Sequence, residues 1–559
     1  MNLMKIFASL LASLPVLITL SLVLRDPPPD RIKGFADARI LETPPPNTTT
    51  SSNIEIFERP APTTSSNSAE PEIKLPTETP KQDKLYDGLL APGFEGGSCL
   101  SRYQSSLYRK ISSHKPSSYL VSRLRSYEDV HKRCGPNTKP YNTSLKQLKK
   151  KSNGKTSTST TDECRYVVWI ANSGLGNRIL SITAAFLYAL LTNRVLLLDP
   201  GKDLPDLFCE PFPQTSWLLS NHFPIKTQFD KLDQKSPRCY GSMLKKTSNS
   251  SELSLPSSYL YLHLGHDYDE QDKLFFCDEE QSLLGKVAWL VMKTDNYFVP
   301  SLFLMPSFQQ ELNKLFPERE TVFHHLGRYL FHPSNHVWGL ITRYYQAYLA
   351  KADERIGIQV RTFEPAGPGP FQHVMDQISS CVFNEQLLPR VDEHKPIVDI
   401  SSSSGNPKLK SVLMTSLKPD YSENLRSMYW EHPTVSGDLI GVFQPSHEGE
   451  QRTDDKVHDR KALAEMFLLS FSDVLVTSAW STFGYVAQGL GGLKPWILFK
   501  PENQTVPNPP CRRLVSMEPC FHAPPLWDCK EKRGTDTGAI VSHVRHCEDI
   551  SWGLQLVDM

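Results

Sequence analysis

The stretch Asp353–Phe363, DERIGIQVRTF, decides the fold. Ile356, Ile358 and Val360 alternate with Gly357 and Gln359, the pattern of a short buried strand. The run ends on Arg361, a permanent cation at the carboxyl end of that strand. In open α/β sheets ligands bind at that end, and a planar guanidinium captures phosphate through paired hydrogen bonds. Taken alone, an Arg paired with a carboxylate at a sheet rim fits the same pattern equally well.

Working outward, RIGIQVR is followed by KSVLMTSL, DLIGVFQPS, DVLVTS and PWILF, with helical segments at SENLRSMYW, DRKALAEMFLLSF and STFGYVAQGL. Short apolar runs alternating with helices imply a mostly parallel, doubly wound sheet. Upstream, Arg165 opens a similar unit: RYVVWIA as strand, NSGLGNR as turn, ILSITAAFLYALLT as buried helix and RVLLLD as strand. YLYLHLG and KVAWLVMKT add two strands, and PSFQQELNKLF and HVWGLITRYYQAYLA two helices, which places a domain boundary near Ala347 to Asp353. Cys99 to Cys134 reads as a helical lead-in, and LKQLKKKSNGKTSTSTT as a flexible surface loop. The fold class is α/β: two Rossmann-like domains facing across a cleft.

Composition narrows the partners. Lys plus Arg and Asp plus Glu both count 61 in 559 residues, so no basic field draws nucleic acid. Ile6 to Leu24 is uncharged between Lys5 and Arg25. As a helix it would span roughly 28 Å, close to a bilayer's hydrocarbon core. RDPPPD follows in place of a cleavage site, which favours a signal anchor over a cleaved signal peptide. The Pro-, Ser- and Thr-rich segment after it reads as an extended stalk. Asn47, Asn142, Asn249 and Asn503 head glycosylation sequons. All 11 cysteines lie beyond the anchor without a CxxC pair, so disulfides are expected, with at least one thiol left over. Anchor, stalk and body together read as a type II membrane protein.

Three strand ends carry the candidate chemistry. The first is Arg361; the third, QPSHEGEQ, brings Gln444, Ser446, His447 and Glu448. The fourth brings Thr477 and Ser478, then Trp480, Ser481, Thr482 and Phe483 at a helix start. One hydroxyl suffices to cap a helix, whereas this turn offers four beside free N–H groups, a ready anion site. Together with Arg361 it suits a diphosphate. Gln444 and Glu448 have the groups to read a guanine edge, while His447 reads as a loop histidine rather than a base. In the first unit, Asn177 and Arg178 leave a turn with only Gly174 and Gly176, so it is neither a full dinucleotide fingerprint nor a phosphate loop. Asp267 and Asp269 form an Asp-x-Asp, read either as a divalent-metal pair or as an acidic loop.

GLGNRILSITAAFLYALLTNRVLLLD, KTDNYFVPSLF, RIGIQVR, LVTSAWSTFGYVAQGLGG and CEDISWGLQLV, in this order, resemble the plant galactoside α-1,2-fucosyltransferases (xyloglucan fucosyltransferase-like, glycosyltransferase family 37). The similarity runs from about Gly93 to the C-terminus. It implies a GT-B-like fold, GDP-fucose as donor, inversion, and no cofactor or bound metal, which argues against Asp267 and Asp269 as ligands. It places Arg361 on the diphosphate and Thr477 to Phe483 around it, with Asp295 near the acceptor as the group that orients or deprotonates its hydroxyl. Asp549 and Trp552 of the C-terminal motif return to the cleft, beside Asn177 and Arg178 on the acceptor side. The implied organisation is 1–5 cytoplasmic tail, 6–24 transmembrane signal anchor, 25–98 stem, 99–350 acceptor-side domain, 351–530 GDP-fucose-binding domain and 531–559 returning segment. The implied setting is the Golgi membrane, with the body luminal and a galactose-terminated cell-wall glycan, xyloglucan-like or arabinogalactan, as acceptor. A homodimer is compatible with it. Competing readings are a metal-dependent transferase of other specificity and a silent glycan-binding protein.

Overall fold

All nine expected apolar runs form strands, and they pair as two parallel sheets. β1 (Tyr166–Ile170), β2 (Val195–Leu198), β3 (Leu260–His263) and β4 (Trp289–Lys293) are ordered β2-β1-β4-β3. β5 (Glu354–Gln359), β6 (Leu409–Thr415), β7 (Leu439–Phe443), β8 (Val474–Ser478) and β9 (Trp496–Leu498) are ordered β9-β8-β5-β6-β7. A short antiparallel strand, β10 (Cys511–Arg513), closes the β9 edge. In this computed structural model the described residues are 86–152, 164–247, 259–362, 371–394, 407–453, 455–500, 505–526, 529 and 535–558. The expected anchor at 6–24 and the sequons at Asn47, Asn249 and Asn503 lie outside them; among the described residues no helix is long and apolar enough to cross a membrane.

The second sheet reverses its winding between β5 and β8, and in the first the path that leaves β1 for β2 and the path that reaches β4 from β3 part between β1 and β4. Such switch points open a crevice at the carboxyl ends of the strands. The turns after β1 and β4 carry Ser173 to Asn177 and Asp295; those after β5 and β8 carry Arg361 and Ser478 to Thr482. Strand order alone therefore gathers these segments.

The sheets are buried on both faces, as parallel sheets are. In β1, Val167 and Trp169 join one apolar cluster while Tyr166, Val168 and Ile170 join another on the opposite face. Tyr166 lies in register with Trp289 of β4 and stacks on it at 4.0 Å. The helix Leu175–Leu191 is buried along nearly all of its length. It has no internal Pro, and it stops where Asn193 turns left-handed (φ 53°). A Cβ on Gly176 would stand 2.7 Å from Thr482 Oγ1 and 2.9 Å from the Thr482 carbonyl carbon, so glycine lets this helix start touch the start of Thr482–Gly491. The largest apolar cluster runs through this contact and includes residues of both lobes, such as Leu187 and Leu490.

Three expectations need correcting. Leu89, Leu90 and Ala91 are buried and Arg125 donates to the Leu89 and Leu90 carbonyls, so folded structure begins inside the expected 25–98 stem. This apolar trio gives an otherwise polar segment something to bury. The basic run LKQLKKKS is not a loop but part of the helix Lys139–Ser152, with Tyr141, Ser144 and Leu148 facing inward at helical spacing. Asn142 of the one described sequon is exposed on that helix, whereas its Ser144 is buried and accepts from Trp289 Nε1. Finally, the chain recrosses to the first lobe before residue 531: Glu518 accepts from Tyr297 OH and Phe323 N, both at 2.6 Å. The β11–β12 hairpin (Val544–His546, Leu554–Leu556) follows. Ten cysteines pair as Cys99–Cys209, Cys134–Cys164, Cys277–Cys529, Cys381–Cys511 and Cys520–Cys547, leaving Cys239 a buried thiol.

Candidate active site

A cavity of about 350 Å³ lies at the two switch points. Gly174, Gly176 and Asn177 line it from the first lobe, and Arg361, Ser481 and Thr482 from the second. Two helix starts therefore meet at one cavity, each contributing N–H groups without intrahelical partners. Thr482 Oγ1 donates to Asn177 Oδ1 at 2.8 Å, tying them together. Ser481 caps its own helix through Gly484 N, as expected.

Arg361 is held at both ends. Its backbone N–H donates to Ser478 Oγ (2.9 Å) and its Nη2 to Gln451 Oε1 (2.8 Å). Burial lowers the guanidinium's pKa, the mark of a cation short of solvation that an anion would relieve. The Gln451 amide in turn reaches across to Gly174, where a Cβ would stand 2.7 Å from its Nε2. The wall beyond is polar and incompletely satisfied: Gln359, Thr415 and His458 line the cavity, and their buried Oε1, Oγ1 and Nδ1 atoms find no hydrogen-bond partners. Burial pushes Glu465, which also lines it and accepts from Ser446 Oγ (2.5 Å), up to about 8, so that it enters neutral solution as an uncharged acid.

A second group forms around Asp295. Its carboxylate accepts from Ser173 Oγ (2.9 Å) and His266 N (2.9 Å), and His266 Nδ1 lies 2.6 Å from Oδ2. That bond raises the pKa of His266, whose side chain is 69% exposed while Asp295 is buried. Asp549 accepts from Trp480 N (3.0 Å) and Tyr485 OH (2.5 Å), and Tyr485 OH lies 3.2 Å from Nε2 of His522, a cavity residue. Burial lowers the His522 pKa against the pull of Asp549 and Asp295, so the ring is neutral. Trp480 (36% exposed) and Trp552 (49% exposed) meet edge to face at 5.8 Å, an open aromatic pair beside the cavity. Ser173 and Trp480 both sit at positive φ (64° and 63°), strain concentrated at the two turns that build the site.

Five expected ligand groups are placed otherwise. Arg178 does not face an acceptor: it is buried and bridges Asp203 (2.7 Å) and Asp459 (2.9 Å), since an unpaired buried guanidinium would be costly. Gln444 spends its Nε2 on the carbonyls of Ser416, Lys418 and Ser446, and His447 points to solvent. Glu448 lines the cavity but pairs with Lys461, which lowers its pKa. Thr477 is fully buried under the helix start. The Asp-x-Asp carboxylates are engaged within their own lobe, Asp267 by the His263 ring at 2.9 Å and Asp269 by Lys245. Ser478, Ser481, Thr482, Phe483, Asn177, Asp295, Asp549 and Trp552 gather at or around the cleft. Sequence reasoning missed Gln451, Asp459, Glu465, His522 and His266. A lone Glu inside AEMFLLS was the one visible signal.

Residues 57–530 match the family profile for xyloglucan fucosyltransferase, and the chain belongs to that family. It is 58% identical to a galactoside 2-alpha-L-fucosyltransferase of Arabidopsis thaliana and 57% identical to one of Pisum sativum, each over 100% of this chain and 93% of the relative. A solved structure, a mutant of Arabidopsis thaliana FUT1 in complex with GDP, is 63% identical with a TM-score of 0.78, covering 85% of this chain and 100% of that one.

Arg178 yields a prediction. Its two carboxylates outweigh burial and raise its pKa, while burial and Asp203 push Asp459 up to about 7. Arg178→Ala leaves two facing acids without a cation and should cost about 3–5 kcal/mol of stability. Chemical denaturation should show that loss at pH 7 and a smaller one in the Arg178→Ala, Asp459→Asn double variant.

Proposed function

We infer that this chain is a galactoside 2-α-L-fucosyltransferase that inverts the sugar as it moves fucose from GDP-fucose to O2 of a terminal galactose. One observation carries the reading. Arg361 and two helix starts converge on one cavity, in a chain 58% identical to an enzyme of that name. The donor diphosphate lies between the helix starts, against Arg361. The fucose C1–O bond breaks, the electron pair leaves with GDP, and galactose O2 bonds C1 from the opposite face through an oxocarbenium-like state. Leaving-group charge is what must be stabilised, and preorganised N–H groups with a cation do so. Gln359, Thr415 and His458 line the space left for the rest of the nucleotide.

On the acceptor side, Trp480 and Trp552 offer aromatic faces to sugar rings. Asp295 holds His266 Nδ1, which leaves Nε2 on the exposed side to receive the O2 proton, an orienter-and-base pair. The lobes are of GT-B type, no metal takes part, and the uncharged segment 6–24 anchors a luminal body in the Golgi membrane. The acceptor is a galactose-terminated cell-wall glycan of the xyloglucan or arabinogalactan kind.

Arg361→Ala should cost about 1.5–3 kcal/mol or more of transition-state stabilisation, a fall in kcat/KM of roughly ten- to 150-fold. Its melting temperature should be unchanged, and turnover near wild type would refute the donor assignment. Since the pKa of His266 is raised, its base form appears only above the usual value near 6.5. Activity should therefore climb with pH through that raised value, and His266→Asn should flatten the profile. Excess chelator should leave transfer intact; loss restored by a divalent ion would revive the metal-dependent reading.

A further inference from the structure

A second cavity, of about 190 Å³, lies where the described chain begins, at the other end of the helix Thr482–Gly491 from the donor cavity. Arg109 and Arg328 line it and are only 9% and 6% exposed. Both donate to the Leu490 carbonyl at that helix end, Arg328 through Nε at 2.9 Å and Arg109 through Nη1. Arg109 Nε and Arg328 Nη2 find no acceptor, and among the described residues neither guanidinium has a carboxylate within ion-pair distance.

The charges around them do not balance. A helix end supplies about half a negative charge against two positive ones. Aromatic rings add weak cation–π attraction, Tyr86 at 5.2 Å from Arg328 and Phe467 and Phe471 at 5.6 and 5.0 Å from Arg109, and the Tyr86 side chain hydrogen-bonds Arg109, but none of these supplies a full negative charge. His325 faces the cavity and the neighbouring His324 touches Ser112 Oγ at 3.0 Å; burial, then Arg328, pushes His325 to about 3 and His324 well below its usual value, so both are uncharged. The rim acids are engaged or exposed: Asp473 with Lys110 (2.7 Å), Glu318 with His114 (2.6 Å), and Asp87 in solvent. Burial and the Arg109 charge lower the Arg328 pKa to about 9, a folded state short of negative charge on this side. Volume and donor set suit a tetrahedral oxyanion, and the space is roughly half that of the donor cavity.

We propose that this cavity binds a small oxyanion of the phosphate class, gripped by Arg109 and Arg328 with Ser112 and Lys110 at its edge. The full chain, with saturating GDP to occupy the donor cavity, is titrated with inorganic phosphate at constant ionic strength, chloride serving as the control anion. One saturable phosphate site is expected. Arg109→Lys and Arg328→Lys keep the charge at Leu490 but lose the planar fork, and each should weaken phosphate binding at least fivefold. Lys110→Met, at the surface, should weaken it less. Arg361→Ala, titrated without GDP, should retain this site. No phosphate binding above the chloride control, wild-type affinity in both Lys variants, or loss of the site in Arg361→Ala would overturn the proposal.

Discussion

Two helices that begin on different sheets run their first turns into each other, and the rest of the molecule is arranged around that junction. Gly176 permits the approach, since a methyl group there would collide with the Thr482 backbone. Asn177 and Thr482 fasten it with a hydrogen bond. Facing positive helix ends repel, so the junction asks for an anion in its mouth. The first lobe supplies Ser173 and Asp295 and the second Arg361, each from the carboxyl end of a parallel strand or the turn after it, and the recrossing chain adds Asp549 and Trp552 from the turn of the β11–β12 hairpin.

The alternation of apolar runs and helices was legible throughout, because period-two burial depends on local spacing alone. Arg361 was legible for the same reason: a charged residue closing an apolar run stands at a sheet's ligand edge. What the chain brings in from a distance was not. Gln451 meets Arg361, and His266 meets Asp295, only after folding, and nothing in EGEQRTD or LGHDYD marks those partners. Arg178 misled for the opposite reason: beside Asn177 in the turn it read as a cleft residue. Helical geometry sends its side chain inward, to Asp203 and Asp459.

Burial sets the electrostatic character of the whole interior. Arg178 is bracketed by two carboxylates, Arg361 stands at the cavity with its pKa lowered by burial, and Glu465 and His522 are held uncharged by their surroundings. Two guanidinium groups, Arg361 and Arg452, line the pocket beside neutral donors and acceptors, while its Glu448 is engaged by Lys461, so the pocket discriminates by the charge of what enters. Such a lining favours an anionic guest over a neutral one.

The unbroken apolar core through the junction bears on turnover. Swinging the lobes apart would expose packed side chains, since Leu187 and Leu490 belong to one buried cluster. Changes at the cavity then cost least when confined to side chains on its wall, such as Gln451, whose amide oxygen takes one of the N–H groups of Arg361. The junction therefore makes a stiff frame in which small local rearrangements are cheaper than a movement of whole lobes.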